Sequence, residues 1–180
     1  TPDPASVWFD FYSSAAKDLF SPALRTKFDA LQGYNISTAA KMTELQILFE
    51  EQLAGQDAKG QEAFQKKMEE RMKTYSESHR RDFEKTGIVQ ISLPGLDPVS
   101  SGTVPGTLLN QFALDANDGY LRVATTTSGW YFGSSESMND VYVLDNKLKT
   151  VGSVLDLGAG EQIYSVRFLG DRGYVVTFRQ

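Results

Sequence analysis

The residues with the clearest potential for chemistry lie in one Gly/Ser-rich stretch of the sequence. Three consecutive aromatic residues, Trp130, Tyr131 and Phe132, are followed by the carboxylates Glu136 and Asp140. Aromatic faces supply contact area at low entropic cost, so the triplet predicts a stacking platform for a sugar or a peptide. The alternative is that the three rings pack under the helical segment that precedes the β-rich half of the chain.

The two carboxylates suggest a second function. Glycoside hydrolysis needs two carboxyl groups on opposite sides of the scissile bond, and Glu136 and Asp140 could supply them. A carboxylate-dependent hydrolase acting on glycans is therefore the alternative to a binding surface. Two other motifs predict no chemistry: the stretch 115–119 lacks the closing Glu of a calcium loop, and Gly158-Ala-Gly160 lacks the Gly-Lys-Ser/Thr of a phosphate loop.

Composition excludes several classes of function. The 180 residues contain no cysteine and one histidine, His79, which removes thiolate nucleophiles, sulfur-ligated zinc and multi-histidine metal sites within one chain. A net charge of -5 argues against a nucleic-acid partner. No apolar run is long enough to span a membrane. We therefore expect no metal, no cofactor, no nucleic acid and no membrane span in this chain.

The first half, residues 1–86, has helical periodicity. The pattern predicts four helices: Ala5–Phe20, a short helix capped by Ser21 that ends near Leu31, one capped by Ser37 and ended by Gly55, and a long one from Asp57 to about Lys85. The apolar seam of the long helix fits an ordinary amphipathic helix or a partner-binding one. The Arg80-Arg81 pair is followed by Asp82 and Glu84, so we expect a solvated face there rather than an anion site.

The second half, residues 87–180, changes to short β-patterned runs. Eight strands are predicted: Ile88–Leu93, Val99–Val104, Leu108–Leu114, Tyr120–Thr126, Asp140–Asp145, Lys149–Leu155, Ile163–Phe168 and Gly173–Phe178. Asp118-Gly119 and Asp171-Arg172-Gly173 read as hairpin turns.

These runs repeat. Phe112-x-x-Asp115 and Gly119-Tyr120 return as Phe168-x-x-Asp171 and Gly173-Tyr174, with 54 residues between the two Gly-Tyr pairs, and Gly102 and Gly152 lie 50 residues apart. A period near 50 with four strands per unit is typical of β-propeller blades. We expect one complete blade near 108–157, flanked by two half-blades.

Three segments carry a specific resemblance. The stretches 104–112, 118–126 and 163–178, together with the helical stretch that ends in residues 81–89, are similar to secreted prokaryotic proteins with a C-terminal β-propeller domain. The resemblance implies a partial β-propeller with a helical insertion, an extracellular or cell-surface location and a longer chain. It supplies no catalytic residues, because that family has no assigned activity.

The predicted fold class is therefore mainly β with an α-helical insertion, formed by a helical segment and about two four-stranded blades. In a meander, alternate connections emerge at the same end of the sheet, so the insertion before Ile88, the loop 127–139, Pro105-Gly106 and residues 158–160 should share one face. We expect a non-enzymatic binding or structural module that contacts protein or glycan through these cap-side loops.

The remainder of the propeller, or another chain, would complete the ring, unless the last strand pair joins the first. A start at Thr1 without Met suggests a fragment or a mature product, and a remnant without its own function is a third possibility.

Overall fold

The structure is a computed structural model that describes residues 4–128 and 136–179. The chain divides into two compact units, Pro2–Ser78 and His79–Gln180. The first unit is helical and the second holds the strands, and each is described by itself. The α-helices are α1 (Pro4–Phe11), α2 (Pro22–Gln32), α3 (Thr38–Ala54) and α4 (Ala58–Phe83).

The first predicted helix is shorter than the sequence pattern suggests. After α1, residues Tyr12–Ala16 form a π-helical segment and Lys17–Leu19 a turn of 3-10 helix. The hydroxyls of Ser13 and Ser14 donate to backbone carbonyls four residues earlier, at 2.7 and 2.6 Å. Such bonds compete with the regular helix ladder, which explains why the α-helix does not continue to Phe20 as predicted.

The two predicted serine caps are confirmed. Ser21 Oγ accepts a hydrogen bond from the Leu24 amide at 3.4 Å, and Ser37 Oγ accepts one from the Ala40 amide at 3.2 Å. Each serine satisfies an amide of the first helical turn that has no intrahelical acceptor, and this fixes where α2 and α3 begin. Gly55 follows the last residue of α3, as predicted.

Aromatic side chains form much of the core of the helical unit. The Phe20 ring lies 6.5 Å from the ring of Phe28 and 5.9 Å from that of Phe64, measured between centroids, and Phe11 contacts Tyr75 at 5.3 Å. These contacts join α1, α2 and α4 through side chains that are almost fully buried. The amphipathic seam predicted for the long helix therefore packs inside its own unit at Phe64 and Tyr75.

The long helix loses regular geometry near its end. His79 has φ -114° and ψ 15°, outside the helical region, and the boundary between the two compact units falls at the same residue. The helix ends at Phe83, two residues before the predicted end, because Lys85 already pairs as the first residue of a strand.

The described residues of the second unit form eight strands in three antiparallel sheets. The strands are β1 (Lys85–Ile91), β2 (Pro98–Pro105), β3 (Leu114–Asn117), β4 (Tyr120–Thr127), β5 (Met138–Leu144), β6 (Thr150–Leu157), β7 (Gln162–Leu169) and β8 (Arg172–Phe178). The central sheet has the order β3-β4-β5-β6, while β1-β2 and β7-β8 are separate two-stranded sheets. The alternative in which the last strand pair joins the first is not seen among the described residues.

The third predicted strand is misplaced. Residues Gln111–Ala113 form a 3-10 turn instead of a strand, and β3 begins only at Leu114. The Asn110 side chain accepts a hydrogen bond from the Phe112 amide at 2.9 Å and starts this turn. A local side-chain acceptor thus replaces the sheet ladder, which the apolar pattern of the segment did not indicate.

The hairpin turns revise the alignment of the repeat. The β3-β4 turn is Asp118-Gly119, with φ values of 51° and 79°, as a type I′ turn requires. The β7-β8 turn is Gly170-Asp171, not the predicted Asp171-Arg172-Gly173, because Leu169 pairs with Arg172 and Gly170 takes a φ of 58°. The turns are therefore 52 residues apart, and Val123 corresponds to Val175.

Two apolar clusters hold the three sheets together. On one face of the central sheet, Val123, Tyr142 and Leu144 pack with Val104 of β2. On the opposite face, Ala124 packs with Ile163 and Val166 of β7. The alternation of Val123 and Ala124 to opposite faces follows from the two-residue period of a strand and gives the second unit a layered core.

Candidate functional site

The connections at one end of the central sheet converge on a single surface, which we call the loop rim. It comprises residues 80–84, 105–107, 126–128, 136–140 and 156–161. The Gly106 amide donates to the Glu84 carbonyl at 2.7 Å, and the Gly160 amide donates to the Ser137 carbonyl at 3.0 Å. These contacts bring described connections of the strand unit together at one end of the sheet, as a meander predicts.

Arg81 and Asp140 form the central ion pair of the loop rim. Arg81 Nε donates to Asp140 Oδ2 at 2.8 Å and Nη2 donates to Oδ1 at 2.9 Å, so the contact is bidentate. The Asp140 side chain is only 1% exposed, whereas that of Arg81 is 31% exposed. The prediction of a solvated face is therefore wrong for Arg81, because its guanidinium compensates a carboxylate that the sheet buries.

A bulge in β6 completes this ion pair. The β5-β6 register shifts between Asn139 and Val141, which leaves Asp156 opposite Asp140 with a φ of 60°. In this conformation the Asp156 amide donates to Asp140 Oδ1 at 2.9 Å, and its carboxylate accepts from Arg81 Nη2 at 2.7 Å. A left-handed conformation at a residue other than glycine is strained, and bulges often re-aim side chains beside functional sites.

The network fixes the charge of its members. Burial alone would raise the pKa of Asp140, but hydrogen bonds from Arg81, the Asp156 amide and Tyr142 together hold it below its ordinary value. The bond to Asp140 raises the pKa of Arg81. Burial, and then the hydroxyl bond to Asp140 at 2.7 Å, raises the pKa of Tyr142. Asp140 is thus a permanent acceptor with four donors around it.

The described residues on both sides of positions 129–135 contact the segment 80–84. On one side, the Ser128 amide donates to the Glu84 carboxylate at 2.8 Å. On the other, Arg80 Nη1 donates to the Glu136 carbonyl at 3.3 Å. Arg80 and Glu84, which lie four positions apart before β1, therefore bind the residues on both sides of these positions.

Asn139 ties the start of β5 to the β6-β7 turn. Its amide nitrogen donates to the carbonyls of Leu157, Gly158 and Glu161 at 2.9, 3.3 and 2.8 Å. Its side-chain oxygen accepts from Thr126 Oγ1 at 2.7 Å. Asn139 is fully buried, so these bonds satisfy an amide that would otherwise be costly to bury.

The predicted site residues have different positions. Trp130, Tyr131 and Phe132 lie outside the described residues. Glu136 is exposed on the loop rim, while Asp140 is buried in the Arg81 network. The two carboxylates thus lie in different environments, one facing solvent and one neutralised by arginine. Their assignment to ligand binding stays a prediction.

Arg81, Tyr142 and Asp156 were not predicted from the sequence to be site residues. One signal for them was present: Asp140 is a charged residue at the start of an apolar strand pattern, and such a residue needs a cationic partner when it is buried. The bulge that brings Asp156 into place has no signature in the sequence.

Among residues 4–128 and 136–179, no group of three or more His, Cys, Asp or Glu side chains is placed to hold a metal ion. No described helix is long and apolar enough to cross a membrane.

A complete four-stranded antiparallel meander between two strand pairs, with its connections gathered at one end, is the architecture of β-propeller blades. The sequence matches the family model of the beta propeller domain over residues 15–180, and the chain belongs to this family.

Two archaeal proteins are similar to almost the whole chain. One, from Archaeoglobus fulgidus and named "Uncharacterized protein", is 41% identical over 178 residues, which is 99% of this chain and 27% of that protein. Another, "Uncharacterized protein MJ1554" from Methanocaldococcus jannaschii, is 36% identical over 175 residues, 97% of this chain and 28% of its own length. The chain therefore spans little more than a quarter of these relatives. No solved structure matches it.

Proposed function

We propose that the chain is a non-enzymatic binding module, a β-propeller segment whose loop rim presents the 129–135 loop to a glycan or protein ligand. The observation that carries this proposal is the anchoring of both flanks of the loop, at Ser128 and at Glu136, by Glu84 and Arg80. Loops held on a rigid scaffold are where binding residues concentrate. Trp130, Tyr131 and Phe132 would provide the stacking surface, with Glu136 beside them.

The Arg81 network supports this role by making the frame of the loop rim rigid. Asp140 binds donors from the segment before β1, from β5 itself and from β6. A binding surface needs such supporting contacts, because ligand groups must be held within a fraction of an ångström. Asp140 thus contributes to the site as a positioning residue rather than as a ligand contact.

The completion of the propeller is a further part of the proposal. Among the described residues, β1 pairs only with β2, and β8 pairs only with β7, so each has one edge without a partner strand. Exposed strand edges favour pairing with additional strands. Further strands of a longer protein, or another chain, would supply them.

An extracellular or cell-surface location belongs to the same proposal and rests on the resemblance of the β-rich half to secreted proteins. Fractionation of the native cells, followed by immunoblotting of the cytosolic, membrane and surface fractions, tests it directly. Recovery of the protein in the cytosolic fraction alone would contradict this location.

The hydrolase remains the second candidate, supported by the exposed Glu136. Its difficulty is Asp140, since a general acid must hold a proton near neutral pH, whereas four donors keep the pKa of Asp140 low. Asp140 therefore could not be the proton donor, and Glu136 would need a different carboxylate as its partner.

A glycan array probed with the purified chain tests the binding function. The variant Trp130→Ala/Tyr131→Ala/Phe132→Ala should lose the array signal, while Tyr34→Ala, which removes an exposed tyrosine of the helical unit, should keep it. Fluorogenic glycosides provide the discriminating assay: release of the fluorophore by the chain, abolished in Glu136→Gln, would favour the hydrolase. If the triple variant and Tyr34→Ala gave equal array signals, the stretch 130–132 would be rejected as the binding surface.

A further inference from the structure

We propose that Asn35 is an N-glycosylation site, modified by an oligosaccharyltransferase of the cell that makes the protein. The inference rests on the extracellular or cell-surface location given under the proposed function, because this modification belongs to the surface loops of secreted proteins. It adds a covalent modification to the helical unit. It involves no residue of the loop rim, so it can fail while the proposed ligand binding stands.

The stretch Asn35-Ile36-Ser37 has the acceptor motif for this modification. The motif requires asparagine, then any residue except proline, then serine or threonine. The chain contains five asparagines, and Asn35 is the only one followed two positions later by a hydroxyl residue. Because an attached glycan is bulky and polar, the motif can be used only where the asparagine lies at the surface.

The loop that carries Asn35 lies at the surface of the helical unit. It joins α2 to α3, and every residue from 32 to 37 is exposed. Leu31, just before this stretch, is only 3% exposed and belongs to the core. The chain therefore leaves the core at Leu31 and presents the whole acceptor motif to solvent before α3 begins.

The side chain of Asn35 takes no part in the hydrogen bonds of the fold. Among the described residues, no donor or acceptor pairs with its amide. Two other asparagines provide the contrast: Asn139 is fully buried and donates to three carbonyls, and Asn110 accepts from the Phe112 amide. A sugar on Asn35 Nδ2 therefore displaces no contact, whereas one on Asn139 would break several.

The backbone at the motif can also adapt to an enzyme. On the α2 side, the Tyr34 amide donates to a carbonyl of the last helical turn at 3.2 Å, and on the α3 side the Ser37 carbonyl accepts the first helical bond at 3.0 Å. Between them, the amides of Asn35 and Ile36 donate to no backbone carbonyl of the described residues. A transferase can therefore draw these two residues into its active site without breaking backbone hydrogen bonds.

Ser37 has two roles, as the third residue of the motif and as the cap of α3. Its Oγ accepts a hydrogen bond from the Ala40 amide at 3.2 Å. This bond does not use the hydroxyl proton, which remains available as a donor while the helix keeps its start. Capping needs an acceptor oxygen, which asparagine also provides, whereas the motif needs a hydroxyl. The two roles can therefore be separated by mutation.

Two exposed apolar side chains flank Asn35. Tyr34 is 56% exposed and Ile36 is 43% exposed. A sugar on Asn35 would lie next to both and would cover part of the Tyr34 ring, which removes apolar surface from water. The residues beside the motif thus favour a glycan that lies on the loop.

The modification is a group transfer without oxidation or reduction. The donor is an oligosaccharide linked through phosphate to a membrane lipid. Asn35 Nδ2 forms a bond to the anomeric carbon of the first sugar, and the bond between that carbon and the phosphate oxygen breaks. The lipid phosphate leaves with the electron pair of the broken bond, and one proton passes from Nδ2 to a base of the transferase. This chain supplies only the acceptor.

Peptide mass spectrometry of the protein from the native cells tests the site. Cleavage after lysine and arginine releases residues 28–41 as one peptide, in which Asn35 is the only asparagine. For protein isolated from the surface fraction, we expect this peptide to carry the added mass of whole sugar residues. An unmodified peptide from surface protein would overturn the inference and leave the location standing. If the protein occurs in the cytosolic fraction alone, the location and the inference are both wrong.

Two variants produced in the same cells separate the motif from the helix cap. Ser37→Asn keeps an acceptor oxygen for the Ala40 amide but lacks the hydroxyl, so we expect wild-type circular dichroism and complete loss of the added mass. Ser37→Thr keeps both the acceptor oxygen and the hydroxyl and should carry the sugar. Modification of Ser37→Asn at the wild-type level would overturn the use of the motif.

A third variant identifies the modified residue. Asn35→Gln leaves the cap of α3 intact and should lose the added mass completely, because glutamine is not an acceptor in this motif. It also provides the test if Ser37→Asn loses helix content. Sugar that persists on the peptide in Asn35→Gln, as sugar linked to the hydroxyl of Ser37 or Thr38 would, overturns the assignment to Asn35.

Discussion

Arg81 donates two parallel hydrogen bonds to Asp140 across 59 positions of sequence, and this pair links the segment before β1 to the start of β5. Asp140 is buried while Arg81 is partly exposed. The pair fixes the loop rim because its carboxylate also accepts bonds from Tyr142 and from the Asp156 amide. The consequences for stability and for binding can be measured separately.

Replacing Asp140 should destabilise the strand unit. Asp140→Asn keeps the shape but leaves Arg81 without its charge partner, and breaking a buried ion pair costs about 3 kcal/mol, the lower end of the usual range because Arg81 is partly exposed. Urea denaturation followed by tryptophan fluorescence measures the free energy of unfolding. The matched control is Asp115→Asn, whose pair with Arg122 is more exposed at the carboxylate and should cost about 1 kcal/mol or less. Equal losses for the two variants would contradict the central role of Asp140.

The same pair predicts a pH dependence. The folded-state pKa of Asp140 is lower than its unfolded value of about 3.8, so folding favours the ionised form. Its contribution is fully present above the unfolded pKa and is lost as the pH falls through the folded pKa. The difference in unfolding free energy between the wild type and Asp140→Asn should therefore be constant from pH 7 to about pH 5 and shrink below about pH 4. If this free-energy difference grew on acidification, the pKa of Asp140 would not be lowered by folding.

The strained bulge predicts that glycine at position 156 gives a more stable protein than alanine does. Asp156 has a φ of 60°, where a side chain costs about 1 to 2 kcal/mol. Asp156→Gly and Asp156→Ala both remove the carboxylate and keep the amide that bonds to Asp140, so the glycine variant should be more stable by about 1 kcal/mol. At Ser153, an exposed position of the same strand without positive φ, the order should reverse by about 0.5 kcal/mol. Thermal unfolding of the four variants tests both orders.

The two repeat-related glycines should differ in their tolerance of a methyl group. A Cβ at Gly102 would clash with the Leu148 carbonyl oxygen, whereas one at Gly152 would meet its nearest neighbour, Val143 Cβ, at 3.9 Å. Gly102→Ala should cost about 2 kcal/mol through overpacking. Gly152→Ala should be neutral or stabilise by about 0.5 kcal/mol, because alanine restricts the unfolded chain. Similar losses at both positions would contradict the close approach of β2 to the β5-β6 turn.

Local patterns determined how much of this fold was predictable from the sequence. The caps at Ser21 and Ser37 were predictable because a single side chain and a nearby amide define each. All eight predicted strands overlap observed strands, the third only at Leu114, since alternation and turn residues are also local signals. The segment 108–114 was not predictable in this way, because the Asn110 acceptor competes with the apolar pattern.

The site was less predictable than the fold. In the sequence, Arg81 cannot be distinguished from the other charged residues of the long helix. Asp156 reaches Arg81 only because of the bulge in β6. Such a bulge arises from the pairing of two strands and not from the residues of one. The convergence of the loops could be predicted from the meander, whereas the ion pair that fixes them required the structure.

The most direct test of the account is the affinity of the chain for the strongest glycan found on the array, measured by isothermal titration calorimetry. If each of the three aromatic residues contributes about 1 kcal/mol or more to binding, Trp130→Ala/Tyr131→Ala/Phe132→Ala should weaken binding by at least about 100-fold. Tyr34→Ala should bind the glycan as the wild type does. Glu136→Gln should also bind the glycan, and neither this variant nor the wild type should hydrolyse it. Unchanged affinity of the triple variant, with wild-type unfolding free energy, would contradict the assignment of the loop rim as the binding surface.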